Sequence, residues 1–283
     1  MIATVFDNRP CKLGEGPIWH PQRQQLFWFD ILSKQLLTQV DGTPHHWQFD
    51  EYVSAAGWID INTLLLASET GLHCFDINSG DMQMLCEIEA DNPVTRSNDG
   101  RADPWGGFWI GTMGKNAEPK AGSIYRYYRG NLKQVATGIT ISNAICFSPD
   151  RLNAYYCDTK TTRIVKVALN PQTGWPEGDA QTYVDLSPQG LNPDGAVVDA
   201  DGCLWNAQWG AGRVARYDPS GAFLSAVNVG GTQASCPAFG GADLKTLFIT
   251  TARDGLNGEG DGLTYAIQTK NQGQAEHEVI LEP

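Results

Sequence analysis

Apolar residues along this chain come in short aromatic and β-branched runs, broken at close intervals by Gly, Asp, Asn and Pro. No long stretch repeats them at the three- and four-residue steps of an amphipathic helix, so the pattern predicts an all-β protein. Six segments share one plan of turn, apolar strand, polar tight turn and second strand with a bulky pair. They are "EGPIWHPQRQQLFWFD" from 15, "SAAGWIDINTLLLAS" from 54, "NDGRADPWGGFWIGT" from 98, "NAICFSPDRLNAYYCD" from 143, "DGAVVDADGCLWNAQ" from 194 and "CPAFGGADLKTLFIT" from 236. Their bulky pairs are Phe27-Trp28, Leu64-Leu65, Phe108-Trp109, Tyr155-Tyr156, Leu204-Trp205 and Leu247-Phe248, spaced 37 to 49 residues apart. Units of that period, each followed by further strands such as "GSIYRYYRG" and "GRVARYDPSG", are the signature of β-propeller blades. The expected fold is a six-bladed β-propeller with a central metal site, one domain over 1–283, closed by pairing "IATVF" with the C-terminal "EVILE". A β-sandwich or two small β-domains would explain the strands but not six aligned units.

The inner strand of a propeller blade lines a central channel, so equivalent repeat positions face one another. The residues opening the six inner strands are Glu15, Ser54, Asn98, Asn143, Asp194 and Cys236. All but Cys236 offer an oxygen, which accounts for a carboxylate at Asp194 where an apolar strand begins. Two carboxylates with neutral amide oxygens suit a divalent cation that prefers hard ligands, such as Ca²⁺, Mg²⁺, Mn²⁺ or Fe²⁺. Zn²⁺ is less natural without His or Cys ligands. The same residue types also cap strand ends and turns.

Composition narrows the setting. A net charge of -12 argues against nucleic-acid or anionic-membrane partners. No apolar run reaches the length of a membrane span, and the N-terminus shows no signal-peptide pattern. Seven cysteines, an odd number without a C-x-x-C pair, fit buried thiols in a reduced, cytoplasmic protein.

The segments "LGEGPIW" (13–19), "LFWFDI" (26–31), "RSNDGRADPWGGFWIGTM" (96–113), "GSIYR" (122–126), "SNAICFSPD" (142–150), "PDGAVVDADGCLW" (193–205) and "PAFGGADLKTLFITTA" (237–252) resemble the regucalcin/gluconolactonase family, also called the senescence marker protein family. The resemblance runs over essentially the whole chain. It implies a six-bladed propeller that holds one divalent metal through Glu15, Asn143 and Asp194. It also implies substrate contacts from Arg96 and Asn98, with Glu118 on the lid side, where the loop "GKNAEPKAG" leaves the alignment loose. Ala144 departs from the family, which usually has Gly after the metal-binding Asn.

The implied reaction is hydrolysis of a sugar lactone to the aldonic acid. The metal would polarise the lactone carbonyl and lower the pKa of water, with Asp194 as general base. Arg96, Asn98 and Glu118 would hold the hydroxyls of a small-molecule sugar lactone, and the protein is expected to act as a monomer or weak homo-oligomer. Hydrolysis of other esters or phosphotriesters is an alternative, as is a non-catalytic calcium-binding or scaffold propeller. Three lookalikes carry little. "GAGRVA" (210–215) runs into a strand pattern where a dinucleotide fingerprint needs a helix. "DGLNGEGDG" (254–262) lacks the acids of a calcium loop and reads as a loop over one channel mouth. Trp105 reads as a packed turn residue more than a sugar platform.

Overall fold

The computed structural model describes residues 1–281. Its twenty-four strands form six antiparallel four-stranded sheets, with two single-turn 3-10 helices. No helix among the described residues is long and apolar enough to cross a membrane. In chain order the inner strands are Gly14–His20, Val53–Trp58, Thr95–Ala102, Ser142–Phe147, Asn192–Val198 and Gln233–Gly240, and we number the blades one to six accordingly. The six-bladed propeller read from the repeat is what forms.

Every bulky pair falls on the second strand of its blade. Because successive strand side chains point to opposite faces, one member of each pair meets the preceding blade and the other the following one. Trp28, Trp109 and Trp205 are wholly buried. Aromatic contacts then bridge neighbouring blades: Trp109 on Phe147 at 5.4 Å, Trp205 on Phe239 at 5.5 Å, and Phe248 on Trp19 at 5.7 Å. Edge-to-face and offset contacts at these separations add to the area that the rings bury.

The ring closes by a different partner than the sequence suggested. The N-terminal strand Thr4–Asp7 pairs with Thr264–Gln268 and becomes the outer strand of blade six. That partner is only five residues long and follows the loop 253–263, which hides it from a pattern search. Of the stretch "EVILE", Glu278 bridges to Trp58 in parallel, and Val279 is buried against the backbone of blade two. Its Glu282 lies outside the described residues. This C-terminal run crosses the far ends of the inner strands. Gln274 donates to the carbonyls of Phe147 at 3.0 Å and Val198 at 2.9 Å, and Arg101 pairs with Glu276.

Two blades bury an acid in their tight turn. Asp103 accepts from the backbone of Trp105 and Gly107, from the Trp109 indole and from Arg126 Nε at 2.6 Å. Asp199 does the same in blade five, with the Trp205 indole at 2.9 Å and Arg216 Nη2 at 2.8 Å. Asp199 is therefore turn chemistry joined to strand pairing. Removing one partner of a wholly buried pair leaves an uncompensated charge, so Asp103→Ala is expected to lose about 3–5 kcal/mol through stranded Arg126. Denaturant unfolding checks this; a loss below about 1 kcal/mol, the range of an exposed pair, would mean that water reaches the guanidinium.

Candidate active site

At the level where the inner strands begin, each one slips register against its neighbour. The shifts fall between Glu15 and Ile18, Val53 and Ala55, Ser97 and Gly100, Asn143 and Cys146, Pro193 and Ala196, and Ala234 and Cys236. An extra residue in one strand frees a side chain from the ladder and re-aims it. Here that happens around one axis. Glu15, Arg96, Asn98, Asn143 and Asp194 all line a cavity of about 520 Å³. Leu13, Leu32, Met113, Ile141 and Trp209 give it an apolar wall, with Lys115, Lys160 and Asp254 also on its lining.

The six-fold slot is broken at two blades. Ser54 is buried and donates to the Ser97 hydroxyl at 2.8 Å, away from the cavity lining. Cys236 is buried and absent from the cavity lining: a Cβ on Gly195 would lie 2.3 Å from its sulfur, so thiol and glycine share one space. Glu118 does not line the cavity, although Lys115, Asn116 and Ala117 beside it do. Its carboxylate accepts from the Asn116 backbone and side-chain amide, both at 3.0 Å, and so closes the turn of that loop. In the loop 254–262, Asp254 reaches the cavity while Asp261 accepts from Gly258 at 2.9 Å within its own turn. Trp105 donates its indole to Pro171 at 3.2 Å and packs on Gly174, outside the cavity.

The acids sit under strong electrostatic pressure. Burial, then the Asp99 charge, pushes Glu15 up to about 8. Burial and the Glu15 and Asp99 charges hold Asp194 well above the usual carboxylate range. Asp99 itself is pushed up to about 6 by burial, although it accepts the Ile145 N–H at 2.7 Å. Among the described residues no ion pair reaches Glu15 or Asp194. Arg96 is turned elsewhere, donating to the Ser97 carbonyl at 2.7 Å and to Asn98 Oδ1 at 2.9 Å.

Whether these residues fit a cation turns on their donor atoms. No group of three or more His, Cys, Asp or Glu side chains placed to hold a metal occurs among the described residues. Glu15, Asp194 and Asn143 instead offer two carboxylates and one amide oxygen on the cavity, a hard set that matches Ca²⁺, Mn²⁺ or Mg²⁺ better than Zn²⁺. Two buried carboxylates without a paired cation are costly to ionise, and a dication offsets that cost. The donor set fits.

With that geometry established, likeness to known proteins becomes informative. The family model for the SMP-30/gluconolactonase/LRE-like region matches residues 13–253. The chain belongs to this family. An L-arabinolactonase of Azospirillum brasilense is 35% identical over 289 residues, covering 96% of this chain and 94% of its own. A 6-deoxy-6-sulfogluconolactonase of Pseudomonas putida is 34% identical over 256 residues, covering 89% and 87%. The crystal structure of a calcium-binding protein, regucalcin, from Agrobacterium tumefaciens superposes with a TM-score of 0.96 at 38% identity, over 99% of this chain and 97% of that one.

The positions after Glu15 and Asn143 share a left-handed backbone. Gly16, after Glu15, has φ +50°, and a Cβ there would lie 2.3 Å from the Ser54 carbonyl oxygen. Ala144, after Asn143, has φ +60°. The methyl is housed at a backbone conformation that costs an L-residue roughly 1–2 kcal/mol. Sequence reasoning overlooked four residues around the site. Asp99 braces blade four from blade three, and Trp209 lines the cavity. Asn206 donates to the carbonyls of Asp194 at 2.8 Å and Gly195 at 3.2 Å, and Thr159 links two blades. Only Asp99 carried a signal, as an acid inside a quoted motif.

Two outcomes follow from this geometry. Ala144→Gly is expected to gain about 0.5–1 kcal/mol, the relieved strain less the added entropy of the unfolded chain; chemical denaturation would show a loss if the methyl's packing matters more. The raised carboxyls bind protons more tightly in the folded than in the unfolded chain. Raising the pH from about 5 to about 8 therefore destabilises the metal-free fold. In chelator the melting temperature is expected to fall across that range, and Glu15→Gln or a saturating divalent cation to flatten the fall. A Glu15→Gln profile parallel to wild type would remove Glu15 as the cause.

Proposed function

We propose that the protein hydrolyses a sugar lactone, a pentono- or hexonolactone, to its aldonic acid with the help of one divalent cation. The observation that carries this reading is the convergence of Glu15, Asn143 and Asp194 from three blades onto one cavity, with both acids raised by burial. Membership of a family with an arabinolactonase and a sulfogluconolactonase supports the substrate class. A cation held by Glu15, Asn143 and Asp194 would supply the positive charge that polarises the lactone carbonyl and acidifies a nearby water.

Asp194 takes the proton from the attacking water. Burial and the neighbouring acids make Asp194 hard to ionise, and a carboxylate raised in this way is a stronger base once it is ionised. Arg96 anchors ring or hydroxyl oxygens through guanidinium hydrogens not spent on Ser97 and Asn98. The amide of Asn98 keeps that guanidinium aimed. Glu118, which closes its own turn beside the cavity, is in this reading a further acceptor for substrate hydroxyls. Met113, Ile141 and Trp209 cover the C–H face of the sugar and exclude stray water. No covalent nucleophile is required. The polarity that Arg96 and Asn98 bring favours a hydroxyl-rich lactone over an apolar ester or a phosphotriester.

The decisive assay is proton release from arabinono-, xylono-, glucono-, galactono- and gulonolactones. It is run with metal-stripped protein and again after adding Ca²⁺, Mn²⁺, Mg²⁺, Zn²⁺ or Fe²⁺. Metal-restored acid production on one or two lactones is expected, and Asp194→Asn should lower turnover by about 10²–10⁴-fold. Near-wild-type turnover in Asp194→Asn would remove Asp194 as the base. Silence across the panel with metal bound would point instead to a calcium-binding role.

A further inference from the structure

We infer that Thr159 is the positioning residue of the metal centre: its single hydroxyl fixes which atom of Asn143 faces the cavity and ties that residue to the strand carrying Asp194. The inference rests on the metal reading proposed above. Thr159 opens a 3-10 turn, Thr159–Thr161, whose capping acid Asp158 accepts the backbone N–H of Thr140 at 2.9 Å and of Ile141 at 3.1 Å. Its own N–H donates to the Ile141 carbonyl at 3.0 Å. The turn is therefore fastened to the start of the blade-four inner strand, and Thr159 is nine-tenths buried on the cavity lining.

The proton count at Thr159 leaves one arrangement. Its hydroxyl lies 2.8 Å from the carbonyl oxygen of Pro193, which can only accept, so the one O–H proton goes there. Toward Asn143 the oxygen then has only lone pairs to offer. The amide must present Nδ2 to Thr159, at 2.9 Å, and turn Oδ1 the other way. A flipped amide would set two acceptors against each other, so the hydrogen-bond network decides an orientation that atomic positions alone do not. The far side agrees. Asn98 Nδ2 donates to the Ser142 carbonyl at 2.7 Å and more weakly to Asn143 Oδ1 at 3.2 Å, while Arg96 fills Asn98 Oδ1. A relay thus runs from Arg96 through Asn98, Asn143 and Thr159 to Pro193, the residue before Asp194. It leaves on Asn143 Oδ1 the lone pair that a hard cation needs.

The test is binding of Ca²⁺ and of Mn²⁺ alone, by calorimetry on metal-stripped protein, for wild type, Thr159→Val and Thr159→Ser. Valine keeps the shape and removes the hydroxyl, and partners that orient metal ligands typically contribute 10–100-fold in affinity. Thr159→Val is expected to raise Kd by about 10–100-fold. Thr159→Ser is expected to stay near wild type, and the metal-free melting temperatures to be alike. A merely packing role predicts the opposite ranking, with valine the better substitute. Should Thr159→Val fail to fold, Thr159→Ala takes its place in the same comparison. Wild-type affinity in a hydroxyl-free variant overturns the inference while leaving the metal reading intact. A wild-type protein that binds neither ion overturns the metal reading and this inference with it.

Discussion

Everything at the site depends on ring closure. The strand Thr4–Asp7, from one end of the chain, completes the blade built from the other end. Further bonds lock the same seam: Leu13 bridges to Ala252, Cys11 donates to the Gly262 carbonyl, and Ser235 donates to the Gly14 carbonyl at 2.5 Å. Six sheets held in a circle have no freedom to turn their inner strands away from the axis. Side chains released by the bulges must then meet, whether or not meeting is favourable for them one by one.

For the acids it is not favourable. Burial raises the proton affinity of Glu15, Asp99 and Asp194, and the Asp99 charge adds to it at Glu15, as the Glu15 and Asp99 charges do at Asp194. The scaffold absorbs that cost, since the energy comes from aromatic contacts between blades and from buried pairs such as Asp103 with Arg126, remote from the site. Stored electrostatic strain of this kind is what a bound dication would relieve. Rigidity in the wall and tension in the acids are two consequences of one constraint.

The supporting residues share a mode of action. Asp99, Thr159 and Asn206 each bind backbone or amide groups of an adjacent strand. Bonds of this type hold the side chains on a cavity wall more closely than a site made of loop tips would. The 3-10 turn at Thr159 is the economical case, one hydroxyl joining the fourth and fifth blades.

Much of this was legible in the chain itself. The bulky pairs announce the blades, because a second strand buried on both sides must carry large apolar groups in register. Glu15, Asn98, Asn143 and Asp194 announce the axis, because acids and amides at the mouths of apolar strands need a shared reason. Local composition cannot express distance between blades, so Asp99, Thr159 and Asn206 looked like ordinary turn and strand residues. The closing strand was missed because Thr264–Gln268 is short and its partner lies at the opposite end of the chain. Ser54 and Cys236 broke the slot because bulge geometry, not repeat position, decides where a side chain points. Residue types and spacing determined that a ring of blades would form and which groups it could gather. Only the closed ring decided which atoms face one another, since hydrogen-bond direction and burial arise between strands far apart in the chain.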